Sequence, residues 1–217
     1  MPKDSQLPLD DLIEPGFGPL RRVAAFTAIY LAAAIILAFA LGNFEFIYYI
    51  VIMLILVYVV WAVYRSAGLS NGVVWGLSVW GLAHVAGGLV PVPESWPIDS
   101  GSRVLYSLWL IPNYLKYDQV VHAYGFGVAT WVCWQGIAGA IRKRGGVAAP
   151  TAGLMVLAAI GGMGLGALNE VIEFIATLTI PETNVGGYIN TGWDLVANFV
   201  GSTSAAAIIY FNRATRR

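Results

Sequence analysis

Residues 44–64 read FEFIYYIVIMLILVYVVWAVY, a run with one charged side chain, Glu45, at its start. About 20 apolar residues wound as a helix cross the roughly 30 Å hydrocarbon core of a bilayer, so this stretch reads as a membrane span. Five more stretches of the same kind lie on either side of it: Val23–Gly42 before it, then Gly72–Val92, Asp118–Ile141, Thr151–Ile180 and Thr191–Phe211. The chain of 217 residues is 58% hydrophobic and 11% charged, against about 25% charged in soluble domains. That much apolar surface calls for bilayer as solvent. The fold class expected is an all-α, polytopic six-transmembrane-helix bundle over residues 21–217.

Residues 1–20 carry four acids and the run Pro15-Gly16-Phe17-Gly18-Pro19, and read as an irregular cytoplasmic tail. Ala38-Phe39-Ala40 imitates a signal-peptidase site, but the polar tail before the first span and the immediate start of the second mark a retained helix. Orientation follows from the basic residues. With both termini inside, Lys3, Arg21, Arg22, Arg65, Arg142, Lys143, Arg144, Arg213, Arg216 and Arg217 are cytoplasmic, and only Arg103 and Lys116 lie outside. Ten against two obeys the positive-inside rule at every loop. The expected address is therefore a multi-pass protein of the inner (plasma) membrane. The outer loop, residues 93–117, is rich in Trp and Tyr, and its Val104–Leu110 stretch is expected to lie along the interface as a short helix. A net charge of zero gives no support to a nucleic-acid partner; membrane lipids are the expected surroundings. The single cysteine, Cys133, forms no internal disulfide and reads as a small apolar residue.

Charged groups inside a membrane helix are costly, so each needs a reason. Here they are few and grouped. The third span carries His84; the fourth opens with Asp118 and has His122 one turn on; the fifth carries Asn169, Glu170 and Glu173; the sixth opens with Asn190 and Thr191 and carries Asp194 and Asn198. Helical spacing puts Asp118 with His122, Glu170 with Glu173, and Asp194 with Asn198 on shared faces. Each group lies within about ten residues of the outer end of its span, which at 1.5 Å per residue is the outer half of the bilayer. The glycines of the fifth span, Gly161, Gly162, Gly164 and Gly166, suit close helix contact.

Four carboxylates with no basic residue inside the spans must either hold protons or find a cation. Four carboxylates and two imidazoles match the ligand count of metal sites built inside helix bundles, and zinc, manganese or iron would accept such a donor set. His84, Asp118, His122, Glu170, Glu173 and Asp194 are thus candidate ligands. Glu170, Glu173, His122 and Asp194 are also candidate acid/base groups, with Asn169, Asn190 and Asn198 as their hydrogen-bonding neighbours. The plainer reading is a polar network that fixes helix register; Asp118 and Asp194 also stand where a carboxylate caps a helix.

The order His84 with Gly87-Gly88, Tyr117-Asp118 with His122, Asn169-Glu170-Val171-Ile172-Glu173-Phe174 and Thr191-Gly192-Trp193-Asp194 resembles the YjdF-like family of bacterial inner-membrane proteins. A looser likeness, in Asp118-x-x-x-His122, a glutamate and Asp194-x-x-x-Asn198, extends to VanZ-like proteins, and implies a link to glycopeptide resistance or the cell envelope. Gln119, Val120 and Val121 stand where the YjdF-like pattern often has a basic residue and a glycine. Three functions stay open: a metal-dependent site acting on a lipid or lipid-linked substrate, with metal-activated water as nucleophile; a proton-coupled transporter; and a non-catalytic membrane subunit. Walker, nucleophile-elbow, dinucleotide and His-Glu-x-x-His motifs do not occur.

Overall fold

A computed structural model of the chain describes residues 17–99, 101–181 and 183–212. Six long helices follow one another: α1 (Phe17–Ala40), α2 (Phe44–Ala67), α3 (Asn71–Leu89), α4 (Tyr117–Lys143), α5 (Ala152–Thr179) and α6 (Tyr188–Asn212). By length and composition, five of them are fit to cross a membrane. The exception is α4, whose 27 residues are long enough but include Asp118, Gln119, His122, Gln135, Arg142 and Lys143. Large apolar side chains face outward along the others, as Ile36, Leu54, Phe174 and Leu178 do. This is a helical, multi-pass membrane protein.

Local chemistry sets the helix ends. Asn43, Ser70 and Thr151 each accept a backbone N–H from three residues on, and Gly68, at φ 72°, closes α2 in the left-handed conformation. The first helix starts at Phe17, inside the stretch expected to be irregular tail; Pro19 falls in its first turn, where a missing N–H costs nothing. The remainder of the tail through residue 16, with Lys3, Arg213, Arg216 and Arg217, lies outside the described residues.

Consecutive helices run in opposite directions. Glu45 at the start of α2 meets Asn184 between α5 and α6, and at the other end of the bundle Ala67 lies against Gly139 near the close of α4. Arg103 and Lys116 sit at the end carrying the long loop; Arg21, Arg22, Arg65, Arg142, Lys143 and Arg144 sit at the far end. The closest packing is among α4, α5 and α6. A Cβ on Gly201 of α6 would run into the Ala123 carbonyl of α4, so the two backbones touch there. On α5, Gly162 faces Thr130 and Ser202, Gly166 faces Asn198 and Gly161 lies against Cys133, whereas Gly164 has open space and is not a contact glycine. At the loop end, Phe46, Tyr49 and Met53 of α2 pack with Val85 and Leu89 of α3 and Leu31 and Ala38 of α1.

The loop from α3 to α4 departs from expectation. Val104–Leu110 does not form an interfacial helix: one 3-10 turn at Leu105–Ser107 leads into a small hairpin, β1 (Trp109–Ile111) against β2 (Leu115–Lys116). Pro112 has no N–H to donate and biases the residue before it away from helix. Asn113, at φ 63°, takes the left-handed position that asparagine tolerates, and the Tyr114 N–H closes the turn on the Ile111 carbonyl at 3.0 Å. Backbone bonds from Leu105 to Val90 and from Tyr117 to Leu108 hold this plug on the ends of α3 and α4.

Candidate functional site

At the loop end, α4 begins at Tyr117, and its first two turns place Asp118 and His122 on one face. His122 is buried. Its Nδ1 lies 3.1 Å from Asn198 Oδ1 on α6, and its Nε2 lies 3.5 Å from Asp118 Oδ1. With an amide oxygen as partner, Nδ1 carries the ring proton, and the Nε2 lone pair then faces a carboxylate. Such a contact is stable only with a proton or a cation between the two atoms. Glu170 of α5 approaches from the other side, Oε1 at 3.6 Å from Nδ1.

The carboxylates are unevenly satisfied. Asp194, wholly buried on α6, accepts the Asn190 amide at 2.5 Å through Oδ2, while its Oδ1 has no partner. Both oxygens of buried Glu170 lack a hydrogen bond, as does Asn198 Nδ2. Glu173, half-buried, accepts from Asn169 Nδ2 at 2.8 Å. Asn190 also reaches Asp118 Oδ2 at 3.4 Å. Gly166, one turn before Glu170, lets α5 close on Asn198 and so draws these helices together.

Ligand-type atoms converge in two overlapping sets, Asp118 with His122 and Asp194, and His122 with Glu170 and Glu173; within each set they lie within 4.8 Å of one another. Of the six expected residues, five therefore meet around one imidazole. His84 stands apart from both sets: its Nδ1 is hydrogen-bonded to the Tyr106 hydroxyl, and its ring meets Tyr49 and Tyr106 edge-on. It lines a small cavity of about 40 Å³ shared with Glu45, Tyr106, Asp118, Glu173 and Asn190, enough for a water or two, since each needs about 10–15 Å³. Removal from water, with the Asp118 and Glu173 carboxylates nearby, raises the Tyr106 hydroxyl well above its ordinary range. The hydroxyl stays protonated beside His84.

Three members escape a reading of the sequence. Lys116, placed by its position at an outer rim, is buried; its ammonium donates to Asn190 Oδ1 and pairs with Asp99 at 3.5 Å. Tyr106 reaches in from the loop. Glu45, buried in the first turn of α2, accepts the Asn184 N–H at 2.9 Å. Only Glu45 left a signal, as the lone charge of its span. Deeper in the bundle, Thr130 and Ser202 both donate to the Phe126 carbonyl. Below them Met155, Ala158, Ala206 and Ile209 are apolar, so this polar line ends part-way.

A family model described as "Predicted membrane protein (DUF2238)" matches residues 22–215. The chain belongs to this family. In DUF2238 terms, the match takes in all six helices apart from the start of α1, and with them every residue of the cluster. No curated protein and no solved structure matches the chain.

Proposed function

We propose that this chain is a six-span inner (plasma) membrane protein, both termini cytoplasmic, whose clustered side chains hold a divalent metal and act on a lipid or lipid-linked envelope substrate from the outer leaflet. One observation carries the metal reading: His122 Nε2 faces the Asp118 carboxylate while Asp194 Oδ1 lies buried without a hydrogen bond, and Glu170 meets the site only through a 3.6 Å approach to the imidazole. A hydrogen-bonded network built only for helix register pairs nearly all its buried polar atoms. The tautomer also fits, because a ligating imidazole donates its second N–H to an oxygen that orients it, here Asn198 Oδ1.

His122 Nε2, Asp118 and Asp194 hold the cation, which supplies Lewis acidity at a scissile bond. Zinc, manganese and iron accept this donor set. Glu170 and Glu173, on the other side of the imidazole, take and return protons. Asn169 and Asn190 orient Glu173 and Asp194, and Lys116 offsets part of the negative charge. His84 and Tyr106 face the small cavity beside the cluster, which has room for a water at the reacting bond. The distribution of basic residues supports this outer side, and the looser likeness to VanZ-like proteins favours an envelope substrate. A polar line that stops at Thr130 and Ser202 weighs against a conducting path.

Elemental analysis of detergent-purified protein tests the reading. The expectation is about one zinc, manganese or iron per chain in the wild type, lost in His122→Ala and reduced in Glu173→Gln. Wild-type protein that stays metal-free after incubation with all three ions overturns it.

A further inference from the structure

A second and larger cavity opens among α1, α2 and α3, with one edge on α5. Its volume of about 600 Å³ falls in the range of single-ligand pockets, about 300–1,000 Å³. The lining has no charged residue. Ala28 and Leu31 of α1, Met53 and Val57 of α2 and Leu77 and Gly81 of α3 typify it. Among the lining hydroxyls, Thr27 and Ser78 bond each other at 2.6 Å, with Tyr30 beside them. Beyond these hydroxyls and the indoles of Trp61 and Trp80, two residues bring an imidazole and an amide. His84 and Asn169 stand at the loop end of the cavity; His84 also lines the small polar cavity, and Asn169 donates to Glu173. On its side wall, Leu54, Leu56, Val57 and Trp61 belong to the outward face of α2 and are 41–54% exposed, so the space is continuous with the lipid-facing surface.

We infer that this groove takes one fatty acyl chain of a bilayer phospholipid, entering sideways past α2, and so sets the head group of that lipid against the His/Asp/Glu cluster. The proposal rests on the lipid-substrate reading above and names the class of lipid. Along α3 the groove runs from Val74 to His84, about 15 Å at 1.5 Å per residue, which carries an extended chain from the first turn of α3, at the end opposite the long loop, to the polar end. Lipid tails are as apolar as the groove wall, so transfer out of bilayer has no hydrophobic drive. Shape and the polar end, rather than greasiness, would select the occupant.

The test uses full-length protein in phosphatidylcholine vesicles containing a phospholipid with a diazirine on one acyl chain. After irradiation, adducts are mapped by mass spectrometry. Adducts are expected on Met53, Leu77 and Trp80 in excess of those on the outward-facing Ile160 and Phe199. Ala28→Phe, which fills the groove from its open side, should abolish the excess. Gly81→Leu should do the same, and size-exclusion profiles of both variants report folding. Equal labelling of groove and outer face, excess labelling that Ala28→Phe leaves intact, or displacement by a polyprenyl phosphate but not by added phospholipid would overturn the assignment. Metal content measured on the same samples separates the two readings: groove labelling without metal removes the metal centre alone, and metal without groove labelling removes the chain site alone.

Discussion

Asp194 is the residue whose chemistry is least explained by packing. Its side chain has no exposure, one oxygen is held by Asn190, and the other faces the cluster unpaired. Asparagine has nearly the same shape without the charge, so Asp194→Asn distinguishes a filled site from a structural network. In metal-free protein the substitution removes an acid crowded against Asp118, and the variant is expected to unfold at a higher temperature than metal-free wild type. With zinc or manganese added, the wild type gains stability through binding and the variant does not, so the order reverses. For a chain of this size each 1 kcal/mol moves the midpoint by roughly 2–4 °C, within reach of a thermal scan in detergent. The cap position that the sequence allowed for Asp194 is taken away by a helix that starts at Tyr188, and identical midpoints under both conditions would reduce Asp194 to a hydrogen-bonding partner of Asn190. Asp118, His122, Glu170, Glu173 and Asp194 were legible in the sequence because ionisable residues are so rare inside spans. Lys116 and Tyr106 were not. A lysine just before a helix and a tyrosine in an aromatic loop look like surface and interface residues until the loop is folded back over the bundle.

Helix contacts divide the glycines into two kinds that spacing alone does not separate. Gly201 meets the Ala123 carbonyl, a backbone atom that cannot rotate away, while Gly164 meets nothing within 4 Å. Gly201→Ala is expected to push α4 and α6 apart and destabilise by about 1–3 kcal/mol. Gly164→Ala should be neutral or stabilising by about 0.5–1 kcal/mol, since alanine is the better helix former. Thermal unfolding of the two variants side by side checks this; equal midpoints would mean that the α4–α6 contact is not close. The helices themselves were readable from hydropathy, and the structure closes their ends with Asn43, Gly68, Ser70 and Thr151. Which glycine faces a neighbour depends on how each helix is rotated, and a run of glycines carries almost no side-chain pattern to fix rotation. The hairpin was missed for a related reason: Pro112-Asn113 is a turn signal, but the aromatics around it have the composition of an interfacial helix.

For the molecule as a whole, the alternating helices put described basic residues mainly at the end opposite the long loop. Single cysteines in a Cys133→Ser background test which side that is. Glu94→Cys, in the long loop, should react with a membrane-impermeant maleimide in intact cells, and Gly146→Cys, between α4 and α5, only after the membrane is breached. The reverse pattern would invert the protein and turn the cluster toward the cytoplasm.

The backbone contact between Gly201 and Ala123 bears on how anything enters or leaves. It welds together the two helices that carry Asp118, His122, Asp194 and Asn198, so that half behaves as a fixed jaw. Sliding or splaying there would mean breaking a contact with no side chain to flex. Motion must instead be borne by the other jaw, where α2 is buried through its first few turns and anchored again at Ala67 against Gly139, so that the stretch between these two holds is the part left to flex.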